Sequence, residues 1–395
     1  MSNRNLSYIY NPDPSVIHPS YVVFHKSEDQ SVVHFRIKAR EILYNKKAGE
    51  KKYRGQAKLS YTLTAFDDRK QQIDSGSIYL LDTDSVIRNK FLEGKLEFRA
   101  AGGRRYILFL RFKDMTRDQT VINILEIDKR SPTNRQNFMV TDTNGLPVFT
   151  KYHEANVPLR IRYNNSIKKD VIVRFYNRDF AYPSPPFSVE GFGSFKFEAD
   201  SQFTITANDS LIPFIPGNKG FYHIQVDTNS REGITIYTRH RDFPAVKTLD
   251  GMLRSVRYLT SKQEFNSLQS AEDKKKALDD FWFGIAGNTE KGREIIRKYY
   301  TRIEYSNLFF SSYLEGWKTD RGLIYTVYGP PNIIYKDVDV ERWIYGEQNN
   351  ILSIDFTFYK VDNPFTDNDY YLSRSSVYKS SWYRAIDSWR QGRIF

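Results

Sequence analysis

The sequence predicts a multidomain fold in which two β-sandwich modules, of the immunoglobulin or fibronectin type, precede a mixed α+β domain. Three observations lead to this prediction. The chain has 395 residues, which exceeds the ~250 residues at which a single core stops growing. Period-two alternation of apolar and polar residues fills the first 240 positions. A helical period replaces it in the remainder.

Composition excludes several classes of site. The chain has no cysteine, so disulfides, thiolate metal sites and a cysteine nucleophile are ruled out. The six histidines lie at or before position 240 and show no metal-ligand spacing, and no glycine-rich phosphate loop occurs. We therefore predict no metal, no cofactor and no catalytic residue. The net charge is +12, and most of the excess lies within residues 1–240.

Residues 1–20 are predicted to form a flexible tether. The opening letters MSNRNLSYIYNPDPS are polar and contain two prolines. A lipoprotein that has lost its signal and its lipidated cysteine would leave such a segment. We therefore expect an exported protein that is lipid-anchored in its native precursor.

Residues 21–130 are predicted to form the first β module. Phe35 and Ile37 alternate with Arg36 and Lys38, so each strand has one buried and one wet face. Further strands of the same kind follow, and the polar stretch from Lys129 to Asn137 marks the seam after this module.

Residues 138–240 are predicted to form the second β module. Leu159, Ile161 and Tyr163 alternate with arginines, and Phe195 and Phe197 indicate another strand. Two such consecutive modules of roughly a hundred residues suggest sandwiches.

Residues 241–395 are predicted to form the mixed domain. Leu278, Phe281, Trp282 and Ile285 recur at helical spacing. Helices are expected up to residue 314, strands from Leu323–Tyr328 onward, and a final helix near residues 381–390.

The most distinctive string of this domain is GWKTDRG at residues 316–322, followed by YTVYGPP. We interpret it as a helix exit, a turn, a strand and a second turn. Gly316 would adopt the left-handed conformation that closes a helix, and Thr319 and Asp320 would bind nearby backbone amides. Asp320 would also pair with an arginine, and Trp317 would fill the core.

This string and its surroundings resemble the GWxTD-domain family of envelope proteins from Bacteroidetes and related bacteria. The resemblance covers residues 281–395 and rests on six elements in order. These are FW at 281, YYTR at 299, GWKTDRG at 316, YTVYGPP at 325, WIY at 343 and WRQGRI at 389. The resemblance implies an exported protein, often a lipoprotein, with β modules ahead of the named domain. It implies no established activity.

We expect a non-enzymatic scaffold or adaptor of the cell envelope, a subunit or accessory lipoprotein of an outer-membrane complex for secretion, gliding or outer-membrane assembly. Its partners would be other envelope proteins, with anionic lipid or polysaccharide as further possibilities. The candidate interaction residues are those of the motif and its surroundings: Gly316, Trp317, Thr319, Asp320, Arg321, Gly322, Tyr325, Tyr328, Gly329, Pro330, Pro331 and Trp343.

Two alternatives remain open. The five tryptophans all lie beyond residue 280, and one or two of them could form a platform for glycan or peptidoglycan binding, while at least three would belong to the core. A carboxylate-dependent hydrolase would pair Asp320 with Glu315, Glu304 or Glu341, and Arg302 with Arg321 would clamp an anion.

A basic patch is predicted in the first β module, around the loop at Gly49. Its members are Lys46, Lys47, Lys51, Lys52, Arg54 and Lys58. Such a patch suits anionic lipid head groups, lipopolysaccharide phosphates or an acidic protein. Nucleic acid is not expected as a partner, because the sequence contains none of the common nucleic-acid-binding motifs.

Overall fold

The computed structural model describes residues 4–13, 16–84, 86, 89–167, 170–189 and 195–393. The chain divides into two compact units. The β unit comprises Asn11–Arg178 and Glu198–Arg239, and the mixed unit comprises Met1–Tyr10, Asp179–Phe197 and His240–Phe395.

The first half of the β unit contains two antiparallel sheets. Its strands are β1 (Ser20–His25), β2 (Gln30–Lys38), β3 (Tyr44–Asn45), β4 (Tyr53–Ala65), β5 (Gln72–Asp84), β6 (Phe91–Arg99), β7 (Arg105–Asp114) and β8 (Gln119–Asp128). One sheet has the order β1-β2-β6, and the other has the order β3-β4-β7-β8 with β5 paired to β4. Phe35, Leu59, Leu108 and Phe112 are fully buried, which confirms the alternation on which this part was predicted.

The second half of the β unit contains two further antiparallel sheets. Its strands are β9 (Phe138–Thr141), β10 (Leu159–Tyr163), β11 (Val171–Tyr176), β12 (Ser201–Ile205), β13 (Leu211–Phe214), β14 (Gly220–Gln225) and β15 (Ile234–Thr238). Their orders are β13-β10-β9 and β12-β11-β14-β15. In β10 the apolar positions are buried and the two arginines are exposed, as a strand with one core face requires.

The mixed unit combines helices with one antiparallel sheet. Its helices are α1 (Leu249–Ser255), α2 (Lys262–Ser270), α3 (Lys274–Ala286), α4 (Thr289–Phe310), α5 (Asp320–Tyr328) and α6 (Tyr378–Arg390). Its strands are β16 (Ile333–Lys336), β17 (Val340–Tyr345), β18 (Ile354–Lys360) and β19 (Tyr370–Leu372), hydrogen-bonded in that order. Side-chain caps begin several helices, among them Asn288 at the start of α4. The α+β character of this region agrees with the prediction.

The N-terminal residues differ from the predicted tether. Leu6 and Tyr10 are buried, and the Leu6 amide donates a 2.8 Å hydrogen bond to the Ile334 carbonyl of β16. Asn5 adds two hydrogen bonds to the same strand region. Apolar side chains that reach a core repay the entropy of ordering their segment, and the sequence pattern does not show which core they reach.

Residues 179–197 also differ from the prediction, because they belong to the mixed unit rather than to the second β module. Phe195 and Phe197 lie outside any strand. Their rings pack against Phe365 at 4.8 and 5.6 Å between centroids. Two aromatic residues spaced by one position therefore indicated a strand where the structure has an irregular segment held by aromatic contacts.

The strand predicted for Leu323–Tyr328 is wrong, since these residues lie in the helix α5. Every residue from Asp320 to Val327 is buried, so the segment has no wet face. A short apolar run that is buried on all sides carries no period, and its β-branched residues then suggest a strand.

Across the described residues, none of the helices is both long and apolar enough to span a membrane.

Candidate functional site

The GWKTDRG motif forms the start of helix α5. A 3-10 turn at Gly316–Lys318 leads into Thr319, which is the N-cap residue of the helix. The Thr319 hydroxyl donates to the Gly316 carbonyl at 2.7 Å and accepts from the Gly322 amide at 3.1 Å. One side chain therefore fixes both the turn and the helix start, which agrees with the predicted backbone role of Thr319.

The two glycines of the motif allow close backbone contact. A Cβ atom at Gly316 would overlap the Ser306 carbonyl of α4, and a Cβ atom at Gly322 would overlap the Gly316 carbonyl. Both obstacles are backbone atoms, which cannot move aside as a flexible side chain can. The left-handed conformation predicted for Gly316 is wrong, because Gly316 does not have a positive φ; in this stretch the positive φ is that of Gly329, at +86°.

Trp317 fills the core below the motif, as predicted, and is 2% exposed. Its indole nitrogen donates to Glu315 at 2.9 Å, and the Tyr258 hydroxyl donates to its backbone carbonyl at 2.7 Å. All five tryptophans of the chain are buried, at 5% exposure or less. A glycan platform built from tryptophan is therefore not present in the mixed unit.

Asp320 is held by an arginine. The Arg374 guanidinium donates to both carboxylate oxygens, at 2.5 and 3.0 Å, and the Leu372 amide donates at 2.7 Å. Burial raises the pKa of Asp320, although the charge of Arg374 acts to lower it. The sequence predicted an arginine partner for this residue but did not identify Arg374, which lies 54 positions away.

Arg321 enters a second buried cluster. Its guanidinium lies 3.0 Å from Glu341, which also binds Lys336 at 2.5 Å. The Tyr10 hydroxyl donates to the same carboxylate at 2.9 Å. Burial acts to raise the pKa of Glu341, but the charges of Lys336 and Arg321 overcome this and lower it to about 2.

The other side of Arg321 is also occupied. It donates to the carbonyl and the side-chain oxygen of Asn368, at 2.9 and 2.6 Å, and its guanidinium lies 3.9 Å from the centre of the Tyr370 ring. Arg321 is 1% exposed and Glu341 is fully buried. Such a buried ion pair leaves an uncompensated charge in the core when either partner is removed.

Two of the three carboxylates that a hydrolase would pair with Asp320 bind other groups. Glu315 binds Trp317 and Lys318, while Glu341 binds Arg321 and Lys336. Arg302 donates to the Val327 carbonyl at 2.9 Å, at the C-terminal end of α5, whereas Arg321 lies in its first turn. The helix therefore separates the two arginines that were expected to clamp an anion.

The remaining motif residues connect α5 to the sheet. The Tyr325 hydroxyl donates to the Tyr10 carbonyl at 3.1 Å, and Trp343 donates to Glu341 at 3.2 Å. Tyr328 is half-buried, and its hydroxyl lies 3.5 Å from the Ser381 hydroxyl. Gly329 ends the helix, exposed Pro330 and buried Pro331 follow it, and β16 then begins.

Sequence reasoning missed three contributors to the cluster around Arg321: Tyr10, Lys336 and Asn368. The contact between Tyr10 and Glu341 joins residues 331 positions apart, and no local pattern connects them. One signal was present in β17. Glu341 shares its face with Trp343, so an acidic residue on an apolar face already indicated a buried partner.

The predicted basic patch lies in the β unit, where the β3–β4 loop and the start of β4 carry it. Arg54 binds Glu50 at 3.1 Å, and the Lys46 ammonium lies 5.4 Å from the centre of the Tyr53 ring. The Lys58 ammonium lies 4.9 Å from the Tyr79 ring centre. Lys46, Lys47, Lys51 and Lys52 are exposed, so the patch is a cationic surface and not a buried site.

The described part of the chain offers no metal-binding geometry. No group of three or more histidine, aspartate or glutamate side chains there could hold a metal ion. An open groove of about 420 Å³ lies between α2 and α3, lined in part by Leu268, Ala277 and Phe281. The groove contains no cluster of ionisable groups that would suggest chemistry.

Residues 220–391 match the family described as the GWxTD domain. No curated protein matches the chain. Among solved structures, that of red sea bream transglutaminase is similar over 56% of this chain and 31% of that chain, with 9% identity and a TM-score of 0.19. The chain thus spans about a third of that enzyme, and so low a score supports no inference about fold or activity. On the family match and on the motif geometry, residues 220–391 of this chain contain a GWxTD domain.

Proposed function

We propose that the protein is a non-enzymatic scaffold or adaptor of the cell envelope, acting as a subunit or accessory lipoprotein of an outer-membrane complex. The candidate complexes are those for secretion, gliding or outer-membrane assembly. Its partners in this proposal are other envelope proteins, and it is exported and lipid-anchored in its precursor.

One observation carries the non-catalytic part of this proposal. The charged residues of the motif, Asp320 and Arg321, are both buried and both bound by internal partners. An acid or a base that acts on a substrate must reach it through hydrogen bonds. Asp320 binds Arg374 and Arg321 binds Glu341, so these two residues instead hold helix α5 to the sheet, as a rigid platform requires.

The test is photo-cross-linking of the full-length protein in native envelopes. A photoreactive residue replaces exposed side chains of the mixed unit, such as Phe283, Ile351 or Tyr383, which are 60%, 97% and 49% exposed. The same photoreactive residue, placed at Ser77 and at Thr83 on β5, provides matched probes in the β unit. The proposal predicts one dominant protein partner, cross-linked from a subset of positions. A protein that remains monomeric and forms no cross-link from any of these positions would contradict it.

Glycan binding remains a second candidate because of a different aromatic pair. Tyr359 and Tyr371 lie on neighbouring strands with ring centres 5.5 Å apart, and they are 39% and 38% exposed. Exposed aromatic faces stack on sugar rings. Binding to cell-wall or dietary polysaccharides that is lost in Tyr359→Ala and retained in Tyr383→Ala would support this candidate. The absence of binding across a broad array would remove it.

A further inference from the structure

In the sheet that contains β5, β4, β7 and β8, the basic side chains of β4 and the acidic side chains of β5 lie on opposite faces. Residues paired across neighbouring strands lie on the same face, as do residues two positions apart in one strand. Lys58 pairs with Lys113 of β7 and with Tyr79 of β5, and Ser60 pairs with Arg111. Lys58, Lys113, Arg111 and Arg54 therefore share one face, hereafter the cationic face.

The aspartates of β5 lie on the opposite face. Asp82 binds Lys90 and Tyr44, and Asp74 accepts from the Arg99 amide. The β5 positions on the cationic face are uncharged: Ser75, Ser77, Tyr79, Leu81 and Thr83. Strand alternation has thus directed the acidic side chains of this strand away from the lysines and arginines.

Acidic residues beside the cationic face neutralise only part of it. Glu50 binds Arg54 at 3.1 Å, and Asp118 binds Lys113 at 2.5 Å. Glu126 and Asp128 of β8 also lie on this face, at its far end, where Glu126 binds Arg105 at 3.3 Å. The exposed lysines of the β3–β4 loop lie next to Arg54 in the chain: Lys46, Lys47, Lys51 and Lys52. The positive charge of this region therefore remains in excess.

Apolar side chains border the cationic face on one side. Tyr79 and Leu81 are each 66% exposed, and they lie on β5, whose described strand partner is β4. The Lys58 ammonium lies over the Tyr79 ring. A flat array of cations with an exposed aromatic and an exposed aliphatic side chain matches the composition of surfaces that bind bilayers.

We propose that the cationic face docks on a bilayer that contains anionic lipids. Its cations are spread over β4 and β7, strands separated by about 4.8 Å, and over the adjoining loop. Cations spread over two strands and a loop form an extended surface, which can contact several lipid phosphates at once, and not a single pocket for one small anion. Tyr79 and Leu81 would enter the head-group region. The inference goes beyond the proposed function, because it concerns a lipid surface and requires no protein partner.

The test is co-sedimentation of the purified full chain with phosphatidylcholine vesicles, prepared with and without phosphatidylglycerol. We expect binding only to the anionic vesicles, and weaker binding at high salt. Arg111→Gln together with Lys113→Gln removes two charges and should weaken binding about 25-fold, at roughly fivefold per charge. Leu81→Ser should weaken it about fivefold, and this loss should persist at high salt.

The matched control is Arg160→Gln together with Arg162→Gln, which removes two exposed charges from β10 and should leave binding unchanged. Thermal unfolding verifies that each variant is folded. Equal binding to neutral vesicles, or an equal loss in the control pair, would overturn the proposal. Binding to soluble polyglutamate or heparin without binding to vesicles would also overturn it, in favour of an acidic macromolecule. None of these vesicle results changes the cross-linking to protein partners that the proposed function predicts, so the two proposals fail separately.

Discussion

The mixed unit and the β unit bury different kinds of polar side chain. The mixed unit buries ion pairs, in which Arg321 and Lys336 bind Glu341 and Arg374 binds Asp320. The β unit has one comparable pair, Asp114 with Arg117, and in addition contains buried histidines: His25 is 1% exposed and His223 is fully buried. A buried ion pair holds two elements at one distance and angle, whereas a buried neutral histidine makes folding depend on pH.

The surroundings of His25 and His223 in the β unit favour the neutral form of the imidazole ring. In His223 one ring nitrogen lies 2.9 Å from the Arg231 carbonyl and the other 2.9 Å from the Thr235 hydroxyl. Burial is the main cause that lowers the pKa of His223 to about 3 and that of His25 to about 4. The two units should therefore respond to acid over different ranges.

The tryptophans allow the units to be observed separately. All five lie between residues 282 and 389, within the mixed unit, and the β unit contains none. Tryptophan fluorescence thus reports on the mixed unit alone, while circular dichroism includes the strands of both.

The largest effect is expected for Gly322→Ala, because the new Cβ would overlap the Gly316 carbonyl. The mixed unit should lose about 4 kcal/mol of unfolding free energy or fail to fold. Urea unfolding followed by tryptophan fluorescence measures this loss. Gly284→Ala in α3 is the matched control, because its Cβ would meet open space and alanine favours a helix by about 1 kcal/mol over glycine. Equal stability of the two variants would refute the close-contact role of Gly322.

Glu341→Gln should destabilise the mixed unit by about 3 kcal/mol, because Arg321 and Lys336 keep their charges in the core without the carboxylate. The same fluorescence measurement applies. The double variant Arg321→Met with Glu341→Leu should lose less unfolding free energy than the sum of the losses in Arg321→Met alone and in Glu341→Leu alone. Additive costs would mean that the ion pair is not a coupled unit.

Acidification from pH 7.5 to pH 6 should destabilise the β unit by about 2 kcal/mol through His25, His223 and His153, whose pKa burial also lowers to about 4. Their pKa values are lower in the folded state than the 6.5 of an unfolded histidine. The unfolded chain therefore binds protons first, and stability is lost as the pH falls below 6.5. Glu341 has the lowered pKa of a paired carboxylate, so its contribution is lost only as the pH falls from 4.5 towards 2.

The measurement is thermal unfolding at several pH values with both probes. The unfolding transition of the β unit is the one seen by circular dichroism but not by tryptophan fluorescence. It should move to lower temperature between pH 7.5 and pH 6. The tryptophan transition should shift less over this range. If both transitions moved equally, the histidines would not distinguish the two units.

The smallest effect is expected for Tyr10→Phe, which removes a hydroxyl that donates to Glu341 and accepts from Arg321 and should cost the mixed unit about 1 kcal/mol. The aromatic contacts of the ring with Phe310 and Trp343 remain. Tyr359→Phe, at a half-exposed position, is the matched control and should be neutral. A Tyr10→Phe variant as stable as the unmodified protein would mean that the hydroxyl contributes nothing to the cluster.

Much of this architecture follows from local sequence patterns. Alternation at Phe35 and Ile37, and again in β10, predicted the strands because each has one buried face. Helical spacing at Leu278 and Trp282 predicted α3 for the corresponding reason. Trp317 was placed in the core because a large aromatic side chain beside glycines needs a packed environment.

The rest depended on contacts that no local pattern records. Helix α5 has no exposed side, so its residues show no helical period, and they were predicted as a strand. Arg374 and Tyr10 reach the motif across 54 and 311 positions. Arginine and tyrosine are common at protein surfaces, so their identity alone does not reveal that they are buried.

The burial of Tyr10 in the mixed unit also bears on how this chain is made. Ribosomes synthesise the N-terminus first, and domains generally fold as they emerge. Tyr10 emerges more than 300 residues before Glu341, its hydrogen-bond partner. The β unit is complete in sequence by Arg239, so it can fold before Tyr10 has a partner in the mixed unit. The contact of Tyr10 with the mixed unit can form only after Glu341 has been synthesised.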